Sequence, residues 1–156
     1  MGQLNNFYGM KYLTLILTLT IILGCKRKES MMEQQKDIVE DYIKSYNNFD
    51  IDGMTKNLTE NFVFKNITNG NVDLKTEGKE EFKKQAESAK VYFKKRKQTI
   101  ESWEFHYPKV TVKIDYKAIL AIDLPNGLKT GDTLELKGIS VFEFEDQKIK
   151  SIVDKS

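Results

Sequence analysis

The chain has 156 residues, with 25 basic and 23 acidic side chains, one His and one Cys, for a formal net charge of +2. That near-balance argues against a nucleic-acid partner, which calls for a basic face. A single Cys excludes an internal disulfide framework, no His, Cys, Asp or Glu cluster has metal-ligand spacing, and no Gly-rich phosphate loop is present, so neither metal nor cofactor is expected.

The first segment reads as an address. Lys11 precedes an apolar run from Tyr12 to Leu23, followed by Gly24-Cys25. Twelve helical residues span about 18 Å, short of the ~30 Å hydrocarbon core, so a permanent spanning helix is not expected. A basic residue, a short apolar core and a small residue before the cut describe a secretory signal. Met10 starts a more typical signal than Met1 does. Ile22-Leu23-Gly24-Cys25 also resembles the bacterial lipobox, which implies that Cys25 becomes the lipidated first residue of the mature protein. The expected organisation is a signal over 1–24, a lipidated N-terminus and tether over 25–30, and one domain over 31–156. The expected location is the bacterial cell envelope, with the chain held to a membrane through lipid on Cys25. Lys26-Arg27-Lys28 beside the anchor suits anionic headgroups, at ~1 kcal/mol per residue. Roughly 130 residues remain after the cut, the size of one domain.

Ser30 with Glu33 has the spacing of a capping box, which predicts the start of a first helix. Ile38, Val39, Tyr42, Ile43, Tyr46 and Phe49 fall on one face, and Asn47-Asn48 ends it. Asp50 predicts the cap of a short second helix carrying Ile51, Met54 and Leu58. Phe62 to Ile67 reads as a strand, Asn69-Gly70 as a tight turn and Val72 to Thr76 as its partner. A third helix is predicted over Lys79 to Lys95, with Phe82, Ala86, Ala89 and Phe93 on its stripe. The run Lys94-Lys95-Arg96-Lys97 then falls at the helix end, where the dipole favours cations.

Trp103, Phe105 and Tyr107 share one parity, and Tyr107-Pro108-Lys109 predicts a turn or edge. From Val110 the even positions are apolar through Leu124, which predicts one long strand buried on its even face. Pro125-Asn126-Gly127 and Thr130-Gly131-Asp132 bracket a loop. The last stretch, Thr133 to Asp154, predicts a hairpin of two long strands turning at Asp146-Gln147. Gly138 and the pair Val141-Phe142 break strict alternation there, which predicts a bulge.

This order predicts an α+β fold. The layout from Met32 to Asp154 resembles the nuclear transport factor 2-like superfamily, which includes SnoaL-like and ketosteroid isomerase-like proteins. Its carriers are Tyr42 to Asp50, Glu77-Gly78-Lys79 leading into Phe82, and Gly138 with Val141-Phe142-Glu143-Phe144 and Asp146-Gln147-Lys148-Ile149. The resemblance implies a cone: a curved antiparallel sheet wrapped around three helices and enclosing a mostly apolar pocket. On that model the wall residues are Tyr42, Tyr46, Phe62, Phe64, Trp103, Phe105, Tyr116 and Phe142.

Catalysis of the ketosteroid isomerase type needs a carboxylate base and oxyanion donors in an apolar cavity. Dehydratase-like members use His with Asp. His106 reads as an exposed strand-end residue and Asp154 as part of a fraying terminus, so neither is expected to be catalytic. The expectation is a non-catalytic domain that binds a small apolar or amphipathic molecule, or a protein partner. Two copies could also pair through the uncovered sheet face. The rivals are an isomerase or dehydratase using Asp154 or His106, and a scaffold with a solid core. A carboxylate buried in an open cavity beside a hydroxyl would favour the enzyme.

Overall fold

The hairpin at the end of the chain forms the centre of the sheet. In the computed structural model, which describes residues 28–156, β1 is Leu58–Thr68, β2 Asn71–Glu77, β3 Phe93–His106, β4 Lys109–Leu120, β5 Thr133–Glu145 and β6 Lys148–Lys155. They form one sheet in the order β2-β1-β6-β5-β4-β3. Neighbours are antiparallel except β1 and β6, which run parallel, so the sheet is mixed where a wholly antiparallel one was expected. The parallel seam joins strands that are not consecutive, with four strands between them in the chain, so no hairpin constrains their direction.

The chain divides after Gln34. The described part of the first unit, 28–34, is helical. Ser30 therefore lies inside a helix and caps nothing, contrary to the capping-box expectation. In the second unit, helix α1 covers 35–47, α2 Ile51–Thr55 and α3 Lys79–Ala89. Asp50 does cap α2, accepting a hydrogen bond from the Gly53 amide at 2.9 Å. Leu58 is not on that helix; it opens β1, one turn sooner than expected.

The largest departure lies after α3. The helix stops at Ala89, Lys90–Tyr92 forms one 3-10 turn, and Phe93 already begins β3. Val91, Tyr92 and Phe93 are β-branched or aromatic and favour a strand over a last helical turn. The basic run is accordingly no solvated helix end. Strand alternation turns Lys95 and Lys97 outward and Arg96 inward.

The predicted even face of β4 is observed: Val110, Val112, Ile114, Ala118 and Leu120 are buried. The strand ends at Leu120, whereas Ile122 is exposed in the loop. In β5 the phase does not break at Gly138. Its register with β4 runs unbroken from Thr133 to Glu143, and the shift against β6 falls between Glu143 and Phe144. Gly138 and Ser140 therefore take inward positions, between Leu136 and Phe142. Ile139 and Val141 take the outer face.

The core joins Val39, Tyr42 and Ile43 of α1, Ile51 and Met54 of α2 and Phe82 of α3 to Phe62, Phe142, Ile149 and Ile152 of the sheet. Each such side chain contributes about 1.5–3 kcal/mol when fully buried. At one end of the inner face Trp103 and Phe105 stack at 5.8 Å against the core. At the other end the sheet and helices part.

Candidate functional site

Where they part, a cavity of about 540 Å³ opens to solvent. Its sheet wall is part of the inner face, whose residues stand in rows, not all of which reach the cavity. One row runs Trp103, Val112, Ser140, Asp154 and Asn66 across five strands. Beyond it come Ile100, Ile114 and Gly138, then Gln98, Tyr116 and Leu136, then Arg96, Ala118 and Leu134. Tyr42 and Tyr46, four residues apart on α1, close the cavity from above, with Phe82 and Ala86 of α3 beside them.

Two small residues lie on this face of β5. An ideal Cβ on Gly138 would stand 2.7 Å from the Lys155 carbonyl oxygen, so no larger residue fits there without movement. Ser140, next along the same face, is the other small residue in the middle of β5.

Asp154 is the acidic side chain of the cavity. It is held in the ladder between Ser140 and Asn66, one residue before β6 ends, and does not fray as expected. Ser140 Oγ donates to Asp154 Oδ1 at 2.6 Å. Burial pushes the Asp154 carboxyl up to about 6, the Ser140 hydrogen bond only partly opposing it. Tyr42 is raised well above the usual phenol range by burial, with the Asp154 charge adding to it. Burial likewise raises Tyr46 and Tyr116, whose rings meet edge to face at 6.4 Å. All three phenols are neutral donors at physiological pH.

Arg96 stands at the other end of this wall. It is only 3 % exposed, and its Nε donates to the Tyr46 carbonyl at 2.8 Å. The guanidinium carbon lies 3.8 Å from the centre of the Tyr46 ring and 4.3 Å from that of Phe49. Both contacts are of cation–π type.

Of the wall residues expected from sequence, Tyr42, Tyr46, Phe64 and Tyr116 line the cavity. Phe62 and Phe142 do not; both are fully buried in the core. Trp103 and Phe105 pack against the core beside them. Both stay partly exposed and outside the cavity lining. His106 is exposed at the end of β3, 2.8 Å from Glu104 Oε1 and away from the cavity. Cys25 lies outside the described residues. Among those described, no group of three His, Cys, Asp or Glu could hold a metal ion.

Ser140, Asn66, Gln98 and Arg96 were not anticipated. A strict period of 2 carried through Gly138 would have turned Ser140 inward. Arg96 was hidden by its lysine neighbours, and nothing in the composition separates it from them.

Residues 39–152 match the family model described as SnoaL-like domain. No curated protein matches the chain in sequence. Among solved structures, a candidate polyketide cyclase from Xanthomonas campestris pv. campestris is similar, with a TM-score of 0.68 at 16 % identity. The match covers 80 % of this chain and 90 % of that one. IdmH, a candidate polyketide cyclase from Streptomyces antibioticus, superposes with a TM-score of 0.65 at 12 % identity, over 78 % of this chain and 90 % of that one. AclR, a candidate hydroxylase from Streptomyces galilaeus, has a TM-score of 0.63 at 17 % identity, covering 79 % and 88 %. At these identities the likeness is one of fold, the nuclear transport factor 2-like cone.

Proposed function

The chain belongs to the SnoaL-like family, and from that premise we propose that its cavity binds a small, mostly apolar carbonyl compound and moves a proton on it. The observation that carries this reading is Asp154, a carboxylate half-buried in the cavity and hydrogen-bonded to Ser140. The domain had been expected to bind without catalysis, with a buried carboxylate beside a hydroxyl as the feature that would favour an enzyme. Asp154 is that feature.

A base works best when its pKa lies near the operating pH. With a carboxyl at about 6, Asp154 is largely ionised at neutral pH yet far more basic than an ordinary aspartate. It takes a proton from carbon next to a carbonyl, the electron pair moves onto oxygen as an enolate, and the proton returns at a second carbon or the same one. The neutral hydroxyls of Tyr42, Tyr46 and Tyr116 line the same space and are suited to donate to that oxygen. Two of the structural neighbours are described as candidate polyketide cyclases, which agrees with a carbonyl compound as the ligand.

The test is hydrogen exchange. The full chain is incubated with β-tetralone, an apolar enolisable ketone, in deuterium oxide, and label uptake is followed by NMR. The wild type should accelerate uptake, and Asp154→Asn should lose about 100-fold or more of the acceleration. Equal rates from both proteins would contradict the reading.

We propose further that the chain is held at a membrane through lipid on Cys25. The support is the Gly24-Cys25 pattern behind a short apolar run.

A further inference from the structure

We infer that the molecule bound in this cavity carries a carboxylate, which Arg96 receives. The inference rests on the cavity being a ligand site and adds the chemical class of the ligand. A guanidinium as buried as Arg96 is ordinarily paired with an acid. Among the described residues Arg96 has none. Its Nε goes to the Tyr46 carbonyl, and Nη2 lies 3.9 Å from Met54 Sδ, a weak acceptor. Five N–H donors are available, these two neutral contacts use only part of them, and the faces of Tyr46 and Phe49 offset the charge without pairing it with an acid.

The surroundings keep one direction open. Tyr46 and Phe49 lie against the guanidinium, so further acceptors must approach its edge, the geometry in which a carboxylate binds by two parallel hydrogen bonds. Phe49 holds its ring there from a left-handed backbone, φ 59°, a conformation bulky residues rarely adopt. Gln98 lines the same cavity, and its buried Oε1 has no partner. Its amide can turn an N–H toward a bound oxygen. On the inner face the charged side chains of the wall are Arg96 and, three rows away, Asp154. The cavity is thus mostly apolar, with a guanidinium that no acid among the described residues pairs.

A carboxylate on Arg96 also gives the ligand a polarity. Arg96 and Asp154 stand three rows apart on the inner face, so the acid end is fixed away from the carbon that loses its proton.

The test compares naphthoate with methyl naphthoate, the same ring system with and without the charge, by calorimetric titration of the full chain. The wild type should bind the acid about 10- to 100-fold more tightly than the ester, the range of a charge-assisted hydrogen-bonded pair. Arg96→Met should remove that preference while leaving ester binding in place, and Arg96→Lys should keep part of it. Equal binding of acid and ester by the wild type, or binding of neither, would overturn the inference. So would an Arg96→Met variant that loses both ligands equally, the result for a residue that only pins α1 to β3. If Arg96→Met fails to fold, the wild-type comparison still decides. Asp154→Asn removes a negative charge from the same cavity, so the acid preference should persist or grow in it. That holds whether or not Asp154→Asn abolishes deuterium uptake, which keeps failure of the proton-transfer reading separate from failure of this one.

Discussion

Ser140 Oγ and Asp154 Oδ1 meet at 2.6 Å across the central pair of strands, in a cross-strand pair on the cavity face. The hydroxyl stabilises the ionised carboxylate while burial opposes it, and burial is the larger effect. Ser140→Ala removes the opposing contribution and adds no volume. The Asp154 carboxyl should then titrate higher than in the wild type, as read from its carboxyl carbon by NMR. A midpoint unchanged or lowered would show that the hydroxyl does not tune it.

The same shift sets how stability depends on pH. Because the folded carboxyl is raised, the folded state binds more protons than the unfolded one between the ordinary aspartate range and about 6. The stabilisation linked to Asp154 is therefore complete at low pH and is lost as pH rises through about 6. Asp154→Asn lacks this loss. Its melting temperature relative to the wild type should climb from about pH 4 to pH 6 and then level off. A constant difference across that range would contradict the assignment.

At the other end of the hairpin, Asp146 and Gln147 turn with φ 47° and 62°, both left-handed. This is the backbone of a type I′ turn, in which glycine is favoured at the second position. Gln147→Gly should relieve roughly 1 kcal/mol of strain, partly offset by the entropy glycine gains in the unfolded chain. A rise of a few degrees in thermal midpoint is expected. A fall would mean that the Gln147 side chain contributes more than its backbone costs.

Cys25 gives a test at the cell level. Two or more acyl chains anchor stably where one does not, at ~0.8 kcal/mol per buried methylene. Expressed in a bacterial host with its own leader, the wild type should fractionate with membranes and Cys25→Ser should not. Equal partition of the two would contradict the anchor.

The fold was legible wherever hydrophobic period and turn chemistry agreed. Val110 to Leu120 alternates without a fault, Asn69-Gly70 and Asp146-Gln147 mark their turns, and the core stripe of α1 stands out. The site was legible only in part. Tyr42, Tyr46 and Tyr116 were named as wall residues, but Phe62 and Phe142, named on equal grounds, fill the core, and Trp103 packs against it instead. Aromatic size says that a residue is inward, not whether space remains beside it. Gly138 and Ser140 line the cavity, and small residues leave no mark in a hydrophobic pattern. Asp154 was discounted for lying near the end of the chain. Its environment comes from Asn66 and Ser140, 88 and 14 residues away, and pairing at that range has no local signature. Arg96 illustrates the same limit: one of four consecutive cations is turned inward by a strand where a helix end was expected.

The most direct measurement of the central claim is the pH profile of catalysed deuterium uptake into β-tetralone. If the ionised Asp154 carboxylate is the base, the rate should rise with pH along a single limb centred at about 6 and level off above it. The limb should be absent from the residual activity of Asp154→Asn. A wild-type profile flat across that range, or one that Asp154→Asn reproduces, would contradict the account.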